Sequence, residues 1–247
     1  LTSGLAQTTF STVIGRTLFH YTIQEELSRG GMGVVYRALP MNCCPAWSPD
    51  GKEIAFHSLR TGNRDVFVVS ADGGSSHQLT SATKQERYPN WSPDGREIVF
   101  RSSGGTEQGE MYIVSRGPSE VGGETPRRLT FDAAVGIAIW SPNGELIAYN
   151  LGVGGVRVVP STGGELRILS SFGHSPLWNR DGSTIYFLDL DGIWSVLSAG
   201  GEPRMLVSFD DPHRVSLRPE WSTDGEHFYF TLTEYDSDVW VMELEQR

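Results

Sequence analysis

The chain has 247 residues and a formal charge of −10, from 30 acidic and 20 basic side chains. With lysine only at Lys52 and Lys84, that balance excludes a broad nucleic-acid face, which needs clustered positive charge. The 29 Gly, 13 Pro and 11% aromatic residues point to short strands joined by tight turns, not long helices. No apolar run has the length of a membrane span, and LTSGLAQTTFST lacks the basic-then-apolar order of a secretory leader. The chain begins with Leu1 rather than Met, so a missing leader carries little weight.

The first patterned stretch is YTIQEELSRGGMGVVYRA, residues 21–38. It alternates, breaks at glycines, then resumes with β-branched residues, predicting strand, Gly-rich turn and strand. The stretch resembles the opening of a bacterial Ser/Thr protein kinase domain. The glycine frame of that family falls on Ser28, Gly30 and Gly33, followed by Val35, with serine in place of the first glycine. The resemblance stops near Ala38. The next lysine, Lys52, sits inside a different repeated unit, and neither an HRD catalytic loop nor a DFG triplet follows. Phosphoryl transfer is positioning and charge stabilisation by those missing groups. No ATP cofactor and no kinase activity are expected. Residues 1–40 are expected to be a truncated, partly disordered segment whose 33–40 stretch supplies a closing strand beside Val239 to Leu244 at the far end of the chain.

Cys43 and Cys44 are adjacent, a spacing too strained for a mutual disulfide. No Cys/His cluster with structural-metal spacing is visible, so no metal site is assigned. The six histidines fall at scattered positions and suggest no triad.

From Cys44 onward the sequence repeats. Anchor tryptophans stand at Trp47, Trp91, Trp140, Trp178 and Trp221, with spacings of 44, 49, 38 and 43 residues. Each is followed by a turn: WSPDG twice, then WSPNG, WNRDG and WSTDG. Ser-Pro-Asp-Gly suits a type I turn in which serine accepts a local backbone hydrogen bond. EIAFHS, EIVFRS and TIYFLD read as second strands, DVFVVS as a third, and HQLT as a fourth. One such sheet cannot bury its own faces. Several stacked radially can, which explains a large aromatic once per unit. The recurring Asp50, Asp94, Asp181 and Asp224 are expected to stabilise turns rather than bind ions.

These units resemble the WD40-like (PD40) repeats of TolB-type β-propellers. The expected fold is all-β: a propeller over residues 41–247 of five mainly four-stranded antiparallel blades, or six if the N-terminus contributes more than one strand. The resemblance implies a non-catalytic module that binds a protein or peptide, an envelope signalling sensor in a periplasmic or extracytoplasmic setting. Two alternatives stay open: a fragment or mis-joined product of a receptor-like kinase with a C-terminal propeller, and the propeller of a serine peptidase lacking its catalytic part. The nearest string to a nucleophile elbow, Gly173-His174-Ser175, lacks its final glycine and reads as an inter-blade loop. Candidate partner contacts are Lys84, Arg87 and Tyr88 in a loop at 81–88, and Asp210, Asp211, His213 and Arg214 in a loop at 209–217.

Overall fold

A computed structural model describes residues 17–18, 21–30, 33–40, 42–104, 109–116, 125–132, 136–151, 154–209, 216–224, 226–233 and 238–243. Residues 17–18, 21–30, 33–40, 216–220, 231–233 and 238–243 are described by their backbone alone. Among the described residues every element is a strand.

A front sheet holds β1 (Thr17–Leu18), β2 (Tyr21–Gly30) and β3 (Gly33–Pro40). Blade 1 holds β4 (Asn42–Trp47), β5 (Glu53–Ser58), β6 (Asp65–Ser70) and β7 (His77–Gln78). Blade 2 holds β8 (Gln85–Trp91), β9 (Glu97–Ser103), β10 (Glu110–Ser115) and β11 (Arg127–Arg128). Blade 3 holds β12 (Ile139–Trp140), β13 (Leu146–Asn150), β14 (Val156–Pro160) and β15 (Arg167–Ile168). Blade 4 holds β16 (His174–Trp178), β17 (Thr184–Asp189), β18 (Gly192–Leu197) and β19 (Arg204–Ser208). Blade 5 holds β20 (Ser216–Thr223), β21 (His227–Thr233) and β22 (Asp238–Glu243). All pairings within these sheets are antiparallel, as expected of a propeller.

The first strands of successive blades pack against one another, so they are the innermost. The second and third strands of blade 1 are largely buried, for example Ala55, Phe56, Val66, Phe67 and Val68. They read as continuous apolar runs because a blade is covered on both faces.

The anchor tryptophans join the blades. Trp91 packs among Ala55, Val66, Val68 and Leu79 of blade 1. Trp140 packs among Val99, Met111, Ile113 and Leu129 of blade 2, and Trp178 among Ala148, Val156, Val158 and Leu169 of blade 3. Trp221 lies against the cluster that holds Leu188 and Ile193 of blade 4. Each buried indole removes roughly 200 Å² from water, about 5 kcal/mol before ordering costs. Three of the indoles also donate Nε1–H one blade back: Trp91 to Ala46 O (3.1 Å), Trp178 to Ile139 O (3.0 Å) and Trp221 to Ser175 O (2.8 Å). Trp140 Nε1 has no such partner. Trp47, the anchor of blade 1, is 61% exposed.

The turn after each anchor forms as its residues dictate. Ser92 Oγ accepts Glu97 N–H (2.9 Å) and donates to Asp94 Oδ1 (2.7 Å), which accepts Arg96 N–H (3.0 Å). The same contacts recur at Ser48 with Asp50 and at Ser141 with Asn143. In blade 4, Asn179 Oδ1 takes the serine's place and accepts Thr184 N–H at 3.0 Å. Gly95 ends its turn at φ 71°, a left-handed value that glycine adopts without strain.

The closing strand expected from 33–40 is not formed. β3 pairs with β2, with Gly30 opposite Gly33 and Ser28 opposite Val35, and among the described residues β22 pairs with β21 alone. A hairpin across a two-residue connection closes with little loop entropy, whereas pairing with 238–243 must enclose some two hundred residues.

Candidate functional site

The alternation of strands gives the blades two ends. One carries the S-P-D-G turns and the third-to-fourth strand turns. The other carries the hairpins between second and third strands, together with the loops from one blade to the next.

At this second end the loop after β7 is tied down. Asn63 Nδ2 donates to the carbonyls of Ala82 and Lys84, both at 2.7 Å, and Gln85 Nε2 donates to Asn63 Oδ1 at 2.6 Å. Lys84 is exposed in this loop, with Nζ 4.0 Å from Glu110. Arg87 and Tyr88 are not loop residues as expected. They lie in the innermost strand β8 and are half-buried. The turn signals before Trp91 are weak, and pairing with β9 extends the strand back to Gln85. Tyr88 sits at a bulge with φ 57°, its ring edge-on to His57 (5.8 Å) and under the Arg101 guanidinium (4.9 Å). Asp210, Asp211, His213 and Arg214 lie outside the described residues. Ser28, Gly30, Gly33 and Val35 lie in the paired strands β2 and β3 of the front sheet. His174 and Ser175 lie in β16 rather than a loop, with His174 Nδ1 3.1 Å from Ser175 Oγ. Gly173 before them has φ 87°, and a Cβ there would stand 2.3 Å from the Phe187 ring.

Lys84 joins a hollow of about 280 Å³ lined by Ser102, Ser103, Glu110, Phe131 and Asp132. Phe131 is 79% exposed. It is held there by Arg128, whose guanidinium lies 4.3 Å over the ring, pairs with Glu110 and donates to Thr130 O at 2.9 Å. Asp132 forms the floor: its Oδ2 accepts from Tyr149 OH (2.8 Å) and from Arg157 (2.9 Å), leaving Oδ1 buried without a partner. Burial, reinforced by Asp132, pushes the Tyr149 phenol well above its usual range, so it stays a donor. Ser103 Oγ is likewise buried and unpartnered. A larger hollow of about 380 Å³ lies at the turn end, but its lining of Ser92, Pro93, Asp94, Pro142, Asn143 and Gly144 is the repeat's own turn framework.

A polar relay ties blade 1 to blade 2 behind this surface. Val66 N–H donates to Thr80 Oγ1 (2.9 Å), and that hydroxyl donates to Glu86. Burial, with Asp65 nearby, pushes the Glu86 carboxyl up to about 7 against the opposing Thr80 bond. The Leu-Thr pair ending each of the first two units was the available signal. Thr130 repeats the contact with Met111 N–H at 3.0 Å.

Sequence reasoning missed the partners of Phe131, Asp132, Glu86 and His57. It also missed that Cys43, Cys44 and His57 converge, with ligand atoms all within 4.8 Å of one another.

The sequence family described as PD40, TolB beta propeller domain, matches residues 23–200. A 37-residue stretch is 49% identical to the Tol-Pal system protein TolB of Syntrophus aciditrophicus, covering 15% of this chain and 8% of that protein. The match therefore spans far less than two-thirds of that relative. A TolB-type structure from Agrobacterium tumefaciens superposes with TM-score 0.64 at 20% identity, over 85% of this chain and 80% of that one. An oligogalacturonate lyase from Vibrio parahaemolyticus superposes with TM-score 0.60 at 16% identity, over 88% and 72%. At these identities the likeness is one of fold, and the fold serves both TolB proteins and enzymes.

Proposed function

The chain belongs to the PD40 TolB β-propeller family, and on that premise we propose that it is a non-catalytic scaffold binding a protein or peptide partner. The contact surface in this proposal is the end opposite the S-P-D-G turns, centred on Lys84 and Phe131. The observation that carries it is Phe131: a large aromatic side chain kept 79% exposed by a guanidinium stacked on it. Exposed aromatics next to arginine are the composition of interface hot spots. The hollow beneath is lined by two carboxylates, Glu110 and Asp132, with Ser102 and Ser103. A lysine or arginine head of a peptide would be drawn to these carboxylates while its apolar stem covers Phe131. An extracytoplasmic setting and a sensor role follow from the family resemblance.

The test is peptide selection against the immobilised chain, with counter-selection on Phe131→Ala and Asp132→Asn chains. Enrichment of sequences that bind the wild type and lose at least about tenfold in affinity on either variant supports the proposal. Selected peptides that bind both variants equally well would place recognition elsewhere.

A further inference from the structure

We propose that Cys43, Cys44 and His57 form a zinc site at the inner edge of blade 1. In a regular strand, adjacent side chains point to opposite faces, so neighbouring cysteines cannot share an ion. Strand β4 is not regular there. Its register with β5 slips between Cys43 and Ala46, and Cys44 takes φ 58°. The bulge re-aims one side chain. Both thiols then face the imidazole of His57, the cross-strand partner of Cys43, and the three ligand atoms lie within 4.8 Å of one another.

The bulge recurs in blades 2 and 4. Tyr88 and Ser175 have φ 57° and 50° at the same place, three residues before their tryptophans. Among the described residues, blade 1 alone puts sulfur ligands on it. Two thiolates and one imidazole suit a tetrahedral d¹⁰ ion and leave a fourth position for water or an added ligand. The charge balance also fits. Two thiolates neutralise one divalent ion. Binding is written as Zn²⁺ replacing the two thiol protons, which leave to solvent. The imidazole gives up only a long contact, Tyr88 N–H to Nδ1 at 3.4 Å. Both cysteines are half-buried, so an ion can reach them, while His57 is 5% exposed and fixed by its surroundings.

The experiment uses the full chain, metal-free and in a phosphine reductant, titrated with Co²⁺ and then Zn²⁺. The expected result is one Co²⁺ per chain, a thiolate-to-cobalt charge-transfer band, and its displacement by one equivalent of Zn²⁺. Cys43→Ser and Cys44→Ser should each abolish the band, and Zn²⁺ should raise the Tm of the wild type but of neither variant. The role of His57 is read in the wild type from the shift of its ring nitrogen resonances on adding Zn²⁺, so it does not depend on a folded His57→Asn chain. Where that variant folds, its zinc affinity should fall at least about tenfold. Absence of the band, its survival in either serine variant, unmoved His57 resonances, or binding of Cu⁺ without Zn²⁺ would each overturn the proposal.

Discussion

The indole Nε1–H of Trp91 donates to the carbonyl oxygen of Ala46, 3.1 Å away and one blade earlier in the chain. This contact states the function of the repeated tryptophan. It packs with its own sheet and is also the wedge that seats that sheet on the preceding one. Trp47 makes the comparison possible, because the same residue in the same repeat position is 61% exposed.

Trp91→Ala should therefore cost about 3–5 kcal/mol in urea denaturation, the range for losing a buried aromatic. Trp91→Phe keeps most of the area but strands the Ala46 carbonyl, for about 1–2 kcal/mol. Trp47→Ala should stay within about 0.5 kcal/mol of wild type. Equal losses at Trp47 and Trp91 would contradict the wedge.

The turn predicts a second result. Ser92 is 3% exposed, and its hydroxyl is the acceptor for Glu97 N–H. Ser92→Ala should destabilise by about 1–3 kcal/mol, the cost of an unsatisfied buried donor. Asp94 is held below the usual carboxylate value first by the Ser92 bond and then by Arg96 N–H. Its contribution is present above the unfolded carboxyl value and is lost as pH falls through the lower folded one. Ser92→Ala should shrink that acid-side loss, as read from denaturation midpoints below pH 4.5.

Glu86 has the opposite sign. Its folded value is raised from 4.5 to about 7, because burial disfavours the charge. The unfolded chain releases this proton first, so stability should fall as pH rises from about 4.5 and level off above 7. The effect is at most about 3 kcal/mol. Glu86→Gln should remove this slope, and the difference between the two pH–stability curves isolates it from other titrating groups. Parallel curves would show that Glu86 ionises normally.

The kinase-like stretch should be silent. Calorimetric titration of the full chain with ATP and Mg²⁺ is expected to show no saturable heat at micromolar nucleotide. Saturable binding lost on Gly30→Val would restore a nucleotide role to the β2–β3 hairpin.

Much of the fold was legible because it is local. WSPDG dictates its own turn through one hydroxyl, one carboxylate and one glycine, and even the Asn179 substitution preserves the contact. The tryptophan period set the blades. What the sequence left hidden depends on register and on neighbours 30–45 residues away. The bulge at Cys44, Tyr88 and Ser175 has no residue-type signature, and it decides where Arg87, Tyr88 and the two thiols point. Loop 81–88 resembled free surface, yet half of it is innermost strand and the remainder is pinned by Asn63. Nothing in the sequence marks the Arg128 guanidinium that lies over the Phe131 ring.

The most direct test of the binding account is hydrogen–deuterium exchange with a selected peptide bound. Protection is predicted at 81–84, 102–104 and 131–132, the segments around the Phe131 hollow, with no change at the turns 48–51 and 92–95. Protection concentrated at those turns, with the Phe131 end unchanged, would contradict it.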